Sequence, residues 1–221
     1  MRLQVEMKIL AIIPARGGSK GVPRKNIKDF RGFPLILWTI KAAKSSKFID
    51  EVVVSSDDTE IIDFAKQNSC NVPFVRSAGL SQDSTPAIDV VLDTINRCPG
   101  FDWLILLQPT SPLRDSNHID ECITDCLKEG RDSYTSVTPV NESPYWMFTL
   151  NEDKIIKPVI AGFLPKRRQD LKPVYRLNGA IYFAKIKWVQ SNKTLISSST
   201  GGYVMSNQTS LDIDTEEHFK S

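Results

Sequence analysis

Lys8-Ile-Leu-Ala-Ile-Ile-Pro-Ala-Arg-Gly-Gly-Ser-Lys-Gly-Val-Pro-Arg-Lys-Asn26 is the stretch on which the fold turns. Residues 8–13 form a short apolar run that ends abruptly in a loop, as expected of a strand buried on both faces in a parallel sheet. The loop carries Arg16, Lys20, Arg24 and Lys25, and no acidic residue occurs between Met7 and Lys28. Gly17, Gly18 and Gly21 let the backbone approach a ligand and turn its N–H groups inward. Several cations on a glycine-containing turn suit a polyphosphate. The spacing fits neither GxxxxGK[ST] nor GxGxxG, so neither a P-loop nor a dinucleotide fingerprint applies. Basic turns are also common as solvated loops, but a position at the carboxyl end of a buried strand is where open α/β sheets hold their ligands.

Outward from this stretch, strand-like and helix-like segments alternate. Pro34 opens a helical pattern through Leu35, Trp38, Ile40 and Ala42; residues 51–55 read as a strand; Asp57 or Asp58 caps a helix over 59–68; residues 72–75 read as a third strand. After a polar loop at 77–85, Pro86 opens a helix to Arg97, and residues 103–107 are the most buried strand. A helix over 116–129, strands at 134–139, 176–184 and 202–205, and a closing helix at 215–220 complete the pattern. It predicts an α/β fold, a doubly wound, mostly parallel, Rossmann-like sheet in one domain. Residues 141–175 break the alternation with prolines, aromatics and a basic cluster, which marks an insertion away from the sheet. Residues 1–6 are unpatterned and stand outside the argument.

The 221 residues are 41% hydrophobic and 24% charged with a formal charge of only +2, so nothing global draws the chain to nucleic acid or an anionic membrane. The longest apolar run, residues 9–15, is too short to span a bilayer, no signal peptide is evident, and a cytoplasmic protein is expected. Cys70, Cys98, Cys122 and Cys126 form no CxxC pair and the histidines are His118 and His218, a poor basis for zinc. Cys122 and Cys126 share a helical face and read as small core residues.

Asp212 and Asp214 flank Ile213, and in an extended segment that spacing sends both carboxylates to one face and Ile213 into the core. Mg2+, for which Mn2+ is a possible substitute, commonly takes one or two protein carboxylates and completes its shell with water and phosphate oxygens. Alternatively Asp214 caps the last helix, with Glu217 completing a capping box. Gln108 and the turn at 109–114 follow the most buried strand, placing them at a substrate pocket or in a rigid connection capped by Asp115 or Ser116. Lys166-Arg-Arg168 and Arg176 form a second basic group, which as composition alone describes a solvated face.

The first strand and loop, read as Ile12-Ile-Pro-Ala-Arg-Gly-Gly-Ser-Lys-Gly21, resemble those of the acylneuraminate (nonulosonate) cytidylyltransferases, the CMP-sialic acid synthetase-like enzymes. Further blocks resemble the family in order along nearly the whole chain: Val53-Val-Ser-Ser-Asp57, Leu107-Gln-Pro-Thr-Ser-Pro-Leu-Arg114, Arg167-Arg-Gln169, Asn178-Gly-Ala-Ile-Tyr182 and Ser210-Leu-Asp-Ile-Asp-Thr215. The resemblance implies a nucleotidyltransferase fold, a homodimer built on the 141–175 insertion, and CTP and an acid sugar as substrates. It places Ala15, Arg16, Gly17, Ser19, Lys20, Lys25 and Asn26 around the triphosphate, with Arg16 on the terminal phosphates and Lys25 near the α-phosphate. It assigns Arg76, Gln108, Arg168, Arg176, Asn178 and Tyr182 to the sugar, and favours metal binding at Asp212 and Asp214. Residues 79–89 match loosely, and Ala87 stands where some members offer the substrate a hydroxyl.

These readings converge on transfer of CMP from CTP to the anomeric hydroxyl of a nine-carbon acid sugar such as N-acetylneuraminic, legionaminic or pseudaminic acid, with release of pyrophosphate. Lys25, Arg16 and Asp214 are the expected catalytic groups, because displacement at phosphorus builds negative charge that fixed cations relieve. The rivals are a cytidylyltransferase for another acid sugar such as 3-deoxy-manno-octulosonate and a metal-dependent nucleotide-sugar glycosyltransferase.

Overall fold

A computed structural model describes residues 7–160, 167, 169 and 171–220. Along the chain lie β1 (Ile9–Pro14), β2 (Asp29–Phe30), β3 (Phe33–Pro34), α1 (Leu35–Lys44), β4 (Glu51–Ser55), α2 (Thr59–Gln67), α3 (Ala87–Arg97), β5 (Trp103–Leu106), α4 (Ser116–Lys128), β6 (Ser133–Pro139), β7 (Phe148–Leu150), β8 (Ile156–Pro158), β9 (Tyr175–Lys185), α5 (Ile186–Asn192) and β10 (Gly201–Val204). Six strands form one sheet in the order β10-β6-β9-β5-β1-β4. β1 runs parallel to β4 on one side and to β5 on the other. The chain order therefore reverses between β1 and β5, the topological switch point at which such sheets open a crevice.

The period of two along β1 explains why it sits inside. Ile9, Ala11 and Ile13 face a layer built from α1, α2 and α4, while Leu10 and Ile12 face α3 and α5. All five are fully buried, as the unbroken apolar run at 8–13 predicts. Cys70, Cys122 and Cys126 belong to the first layer, and burial pushes the Cys126 thiol up to about 12 and the Cys70 thiol to about 11, so both behave as apolar fillers. Asp58 rather than Asp57 caps α2, accepting the Ile61 N–H at 3.1 Å, and Asp115 rather than Ser116 caps α4 in a box with His118.

The mostly parallel sheet is as predicted, with differences in detail. Residues 72–75 make only one isolated bridge, Ser56 to Val75, with another at Asn71 just before them, because Pro73 lacks the donor a ladder needs. β9 runs antiparallel to both β5 and β6, a direction that side-chain periodicity does not encode. α5 was not anticipated, and the expected closing helix is a 3-10 turn at Glu217–Lys220. Within the insertion, β7 and β8 form an antiparallel hairpin outside the main sheet. Among the described residues no helix is long and apolar enough to cross a membrane.

A satellite cluster of Phe30, Leu35 and Ile213, with Trp38, Leu113, Leu211 and Phe219 against it, ties the last segment to the start of α1. At the opposite end of the sheet, β10 lies beside β6 because Gly201 leaves room for the Tyr134 ring: a Cβ there would come within 2.0 Å of it. Tyr134 is buried and its hydroxyl donates to Glu129 at 3.0 Å, so the ring has no free direction to move. Gly201→Ala is therefore expected to destabilise the protein by about 1–3 kcal/mol through overpacking, read as a lower urea midpoint with an unchanged slope.

Candidate active site

The carboxyl ends of β1 and β5 open into a cleft of about 350 Å3. Arg16, Ser19, Lys25 and Asn26 line it from the first loop, Arg76, Gln82 and Asp83 from the segment after the isolated bridges, Gln108 and Thr110 from the turn after β5, and Asp212 and Asp214 from the far end of the chain. Residues separated by nearly two hundred positions thus face one space.

The first loop is shaped by close approach rather than by left-handed glycines. A Cβ on Gly17 would lie 2.6 Å from Asp58 Oδ2, and one on Gly21 would lie 2.6 Å from the backbone oxygen of Asp214, whereas a Cβ on Gly18 would meet nothing within 4 Å. The left-handed residue is Arg24, at φ 53°, and it starts the 3-10 turn Lys25–Ile27 that aims Lys25 and Asn26 inward. Asn26 is buried and donates to the Arg16 carbonyl at 2.9 Å, locking the loop across its own width.

Although the loop itself is free of acids, the fold brings carboxylates to almost every cation on it. Lys25 Nζ lies 3.0 Å from Asp214 Oδ1, Arg16 2.5 Å and Lys20 3.2 Å from the Asp83 carboxylate, and Arg24 3.8 Å from Asp58, with Glu60 closer still. Arg24 is therefore committed to the N-terminal turn of α2 and does not line the cleft. The Ala15 N–H is donated to the Ser55 carbonyl at 2.9 Å and that of Gly17 to Asp57 Oδ1 at 3.1 Å, so both amides hold the scaffold instead of facing the cleft.

Arg76 is 4% exposed, lines the cleft, and sits close enough to Arg16 for the two cations to act on each other. Burial lowers its pKa, opposed by Asp57 at 3.7 Å. Gln108 reaches the cleft because its own carbonyl is held from behind by Thr39 Oγ1 and Arg114 Nη2, each at 3.4 Å. Arg114 is itself fully buried, donates to Thr39 at 2.9 Å, and has its pKa pushed down to about 10 by that burial. Its part in bracing Gln108 depends on a contact to α1 that linear reading did not reveal.

Ile213 is fully buried and its N–H donates to the Thr110 carbonyl at 2.8 Å, which fixes the two flanking carboxylates beside the turn after β5. Burial raises the pKa of Asp212 and the nearby Asp214 charge raises it further, while Thr110 and Lys25 oppose the shift. Asp212 Oδ1 is buried without a hydrogen-bond partner among the described residues. Such an oxygen beside a second carboxylate fits a divalent cation with oxygen ligands, in the one-or-two-carboxylate manner of Mg2+. Among the described residues no larger cluster of His, Cys, Asp or Glu is arranged to hold a metal. Asp214 does not build the capping box with Glu217: its carboxylate goes to Lys25 and its N–H to His218 Nδ1 at 3.0 Å.

The remaining sugar-side residues divide. Tyr182 is half-buried near Asp212, whose charge adds to burial in raising the phenol pKa. Asn178 lies under the site: its amide donates to Ser210 Oγ at 2.9 Å and accepts from Ser136 Oγ at 2.6 Å, a network two residues upstream of Asp212. Arg176 is exposed at the start of β9 and does not line the cleft. Arg168 falls outside the described residues. Asp83 was not singled out from sequence, since nothing local marks a loop aspartate as the partner of Arg16.

A model of the family described as Cytidylyltransferase matches residues 10–154, from β1 through the β7 strand. The chain belongs to the cytidylyltransferase family. Relatives of this cytidylyltransferase include the CMP-N,N'-diacetyllegionaminic acid synthase of Legionella pneumophila, 37% identical with 95% of this chain and 92% of the relative covered. The pseudaminic acid cytidylyltransferase of Campylobacter jejuni is 35% identical over 95% of this chain and 92% of its own. The N-acylneuraminate cytidylyltransferase of Streptococcus agalactiae is 34% identical over 96% of this chain and 52% of its own. In fold, the chain is similar to a CMP:2-keto-3-deoxy-manno-octonic acid synthetase solved with CTP, at TM-score 0.73 and 17% identity over 96% of this chain and 95% of that one.

Because Asp212 combines burial, an unpartnered oxygen and a like-charged neighbour, its ionised form strains the metal-free protein. A folded pKa raised above the unfolded value means that stability falls as pH climbs from the ordinary carboxylate range through the folded pKa. Asp212→Asn is thus expected to melt at the same temperature as wild type or higher in EDTA at pH 7. Millimolar Mg2+ should raise the melting temperature of the wild type and leave that of the variant unmoved.

Proposed function

We propose that this cytidylyltransferase transfers CMP from CTP to the anomeric hydroxyl of a nine-carbon acid sugar, a nonulosonate, and releases pyrophosphate. The single observation that carries this reading is the 3.0 Å contact between Lys25 and Asp214 inside a cleft shared with Arg16, Arg76 and Gln108. It joins a cation suited to phosphate with a carboxylate suited to metal at one point. The names of the relatives, which concern legionaminic, pseudaminic and N-acylneuraminic acids, favour a nonulosonate as acceptor.

Arg16, Lys20 and Ser19 hold the outer phosphates; Lys25 and Asn26 orient the α-phosphate; Gln108 and Tyr182 face the sugar. Arg76, which the resemblance assigns to the sugar, also lies near enough to Arg16 for the two cations to act on each other. Asp212 and Asp214 would hold Mg2+, which when bound would neutralise charge on the phosphate oxygens. The anomeric hydroxyl attacks the α-phosphorus and gives up its proton to solvent, the bond from phosphorus to the bridging oxygen breaks, and the negative charge gained by the leaving pyrophosphate is met by Arg16 and Lys20. Because Asn26 ties the loop across at the Arg16 carbonyl, Arg16 is placed before the step and needs little reorganisation. Asn178 acts from beneath, through Ser210, on the position of Asp212.

We assign homodimerisation to the insertion. Met147, Phe148, Leu150, Ile155 and Ile156 are all exposed on or beside the β7–β8 hairpin, an apolar face of the kind a subunit contact covers.

Pyrophosphate release should appear with CTP but not ATP, GTP or UTP when each is supplied with Mg2+ and a panel of nine- and eight-carbon acid sugars; release with no nonulosonate in the panel rejects the reading. Lys25→Ala should lower kcat by about 10- to 150-fold, the loss of one charge-assisted hydrogen bond, with the fold retained by circular dichroism. Paired substitutions Leu150→Asp and Ile156→Asp should turn a dimer into a monomer in sedimentation velocity, and a dimer that survives them removes the hairpin from the interface.

A further inference from the structure

Asp83 stands between two cations that the proposed reaction needs for phosphate. Its carboxylate bridges Arg16 at 2.5 Å and Lys20 at 3.2 Å, at the mouth of the cleft, from the loop that precedes α3. The neighbouring carboxylates have other work: Asp57 accepts the Gly17 N–H, and Asp58 caps α2. Asp83 shows no such scaffold bond; its described polar contacts are the two cations.

The loop around it is braced internally. Ser81 Oγ donates to the Ser77 carbonyl, Gln82 Nε2 to Ala78, Thr85 N to Gln82 and Thr85 Oγ1 to Gly79. Lifting Asp83 away from Arg16 therefore breaks two ion pairs and none of these bonds. A guanidinium and an ammonium engage carboxylate and phosphate oxygens through the same donors, and both anions cannot share them without like charges in contact. Lys20 and Arg16 together also hold the Asp83 carboxyl below its usual pKa, with the Lys20 hydrogen bond the largest cause, so the competitor is charged at neutral pH.

We propose that Asp83 is an affinity-setting residue, an internal anion that competes with the outer phosphates of the nucleotide for Arg16 and Lys20 and returns to them as pyrophosphate departs. The inference rests on the cytidylyltransfer reading of the site. It separates ligands by the phosphates they carry. CTP and pyrophosphate must displace Asp83, whereas CMP, whose single phosphate is assigned to Lys25, need not. Asp83 thus weakens substrate binding and favours product release together.

The test measures Kd for CTP, pyrophosphate and CMP by calorimetry on the full chain with Mg2+, for wild type, Asp83→Asn and Asp83→Ala. Both variants should bind CTP and pyrophosphate about three- to tenfold more tightly, the range expected of one to two half-exposed ion pairs, with CMP changed less than about twofold. The gain should shrink as salt rises, because the competing pairs are themselves screened. Pyrophosphate should also become a stronger product inhibitor. Equal or weaker binding of CTP and pyrophosphate by the variants overturns the inference, and so does an equal gain for CMP, which would mark a general loosening of the cleft. Wild-type protein that binds neither CTP nor pyrophosphate rejects the reading of the site and this inference with it; wild-type binding with unimproved variants rejects the inference alone.

Discussion

The two ends of the chain meet at Gly21 and Asp214, and the site depends on that contact. With only a hydrogen on Gly21, the Asp214 backbone oxygen can lie where a side chain would otherwise stand. The buried Ile213 and its bond to Thr110 hold the last segment down, and Lys25 reaches across to the Asp214 carboxylate. None of these is strong alone. A half-exposed ion pair contributes little to stability, so its value lies in register: it places a cation and two carboxylates within one charge's reach of each other. The cost is visible at Asp212, where burial and a like charge work against ionisation. The scaffold offsets this strain elsewhere, here through the buried β1 and β5.

Much of this architecture was legible because it follows from period and punctuation. The unbroken apolar run at 8–13 demanded a strand covered on both faces, and its abrupt end in a basic loop placed the chemistry at the strand's carboxyl edge. The Asp-Ile-Asp spacing predicted two carboxylates on one side and an apolar residue on the other, and Ile213 is indeed fully buried. These are local properties of a chain, set by side-chain alternation over a few residues. The misreading at 72–75 is equally local: an apolar tetrapeptide satisfied the composition of a strand, while its proline denied the ladder a donor.

What stayed hidden is non-local. The direction of β9 is fixed by how it inserts between β5 and β6, not by which residues alternate along it. The family resemblance placed Asn178 on the sugar, yet its partners Ser136 and Ser210, which hold it beneath the site, lie 42 and 32 residues away. The loop that seemed purely cationic is in the folded chain nearly matched by carboxylates from α2, from the segment before α3 and from the far end. Counting charges along the sequence measured the supply of cations correctly and their availability wrongly.

That matching has its own logic. Four cations crowded on one short loop would repel each other and swing into solvent, so a loop that is to meet a polyphosphate ready-shaped needs counter-charges before the ligand arrives. The counter-charges differ in how firmly they are held. Asp58 is fixed by its cap on α2 and keeps Arg24 out of the cleft; Asp214 is fixed through Ile213 and holds Lys25 in the cleft; Asp83 rides on an exposed loop closed on itself. The cations are thereby sorted by the mobility of their partners. Arg24 serves the scaffold; under the proposed reading Lys25 serves the chemistry from a fixed position, and Arg16 and Lys20 serve the end of the cleft where an anion both arrives and leaves.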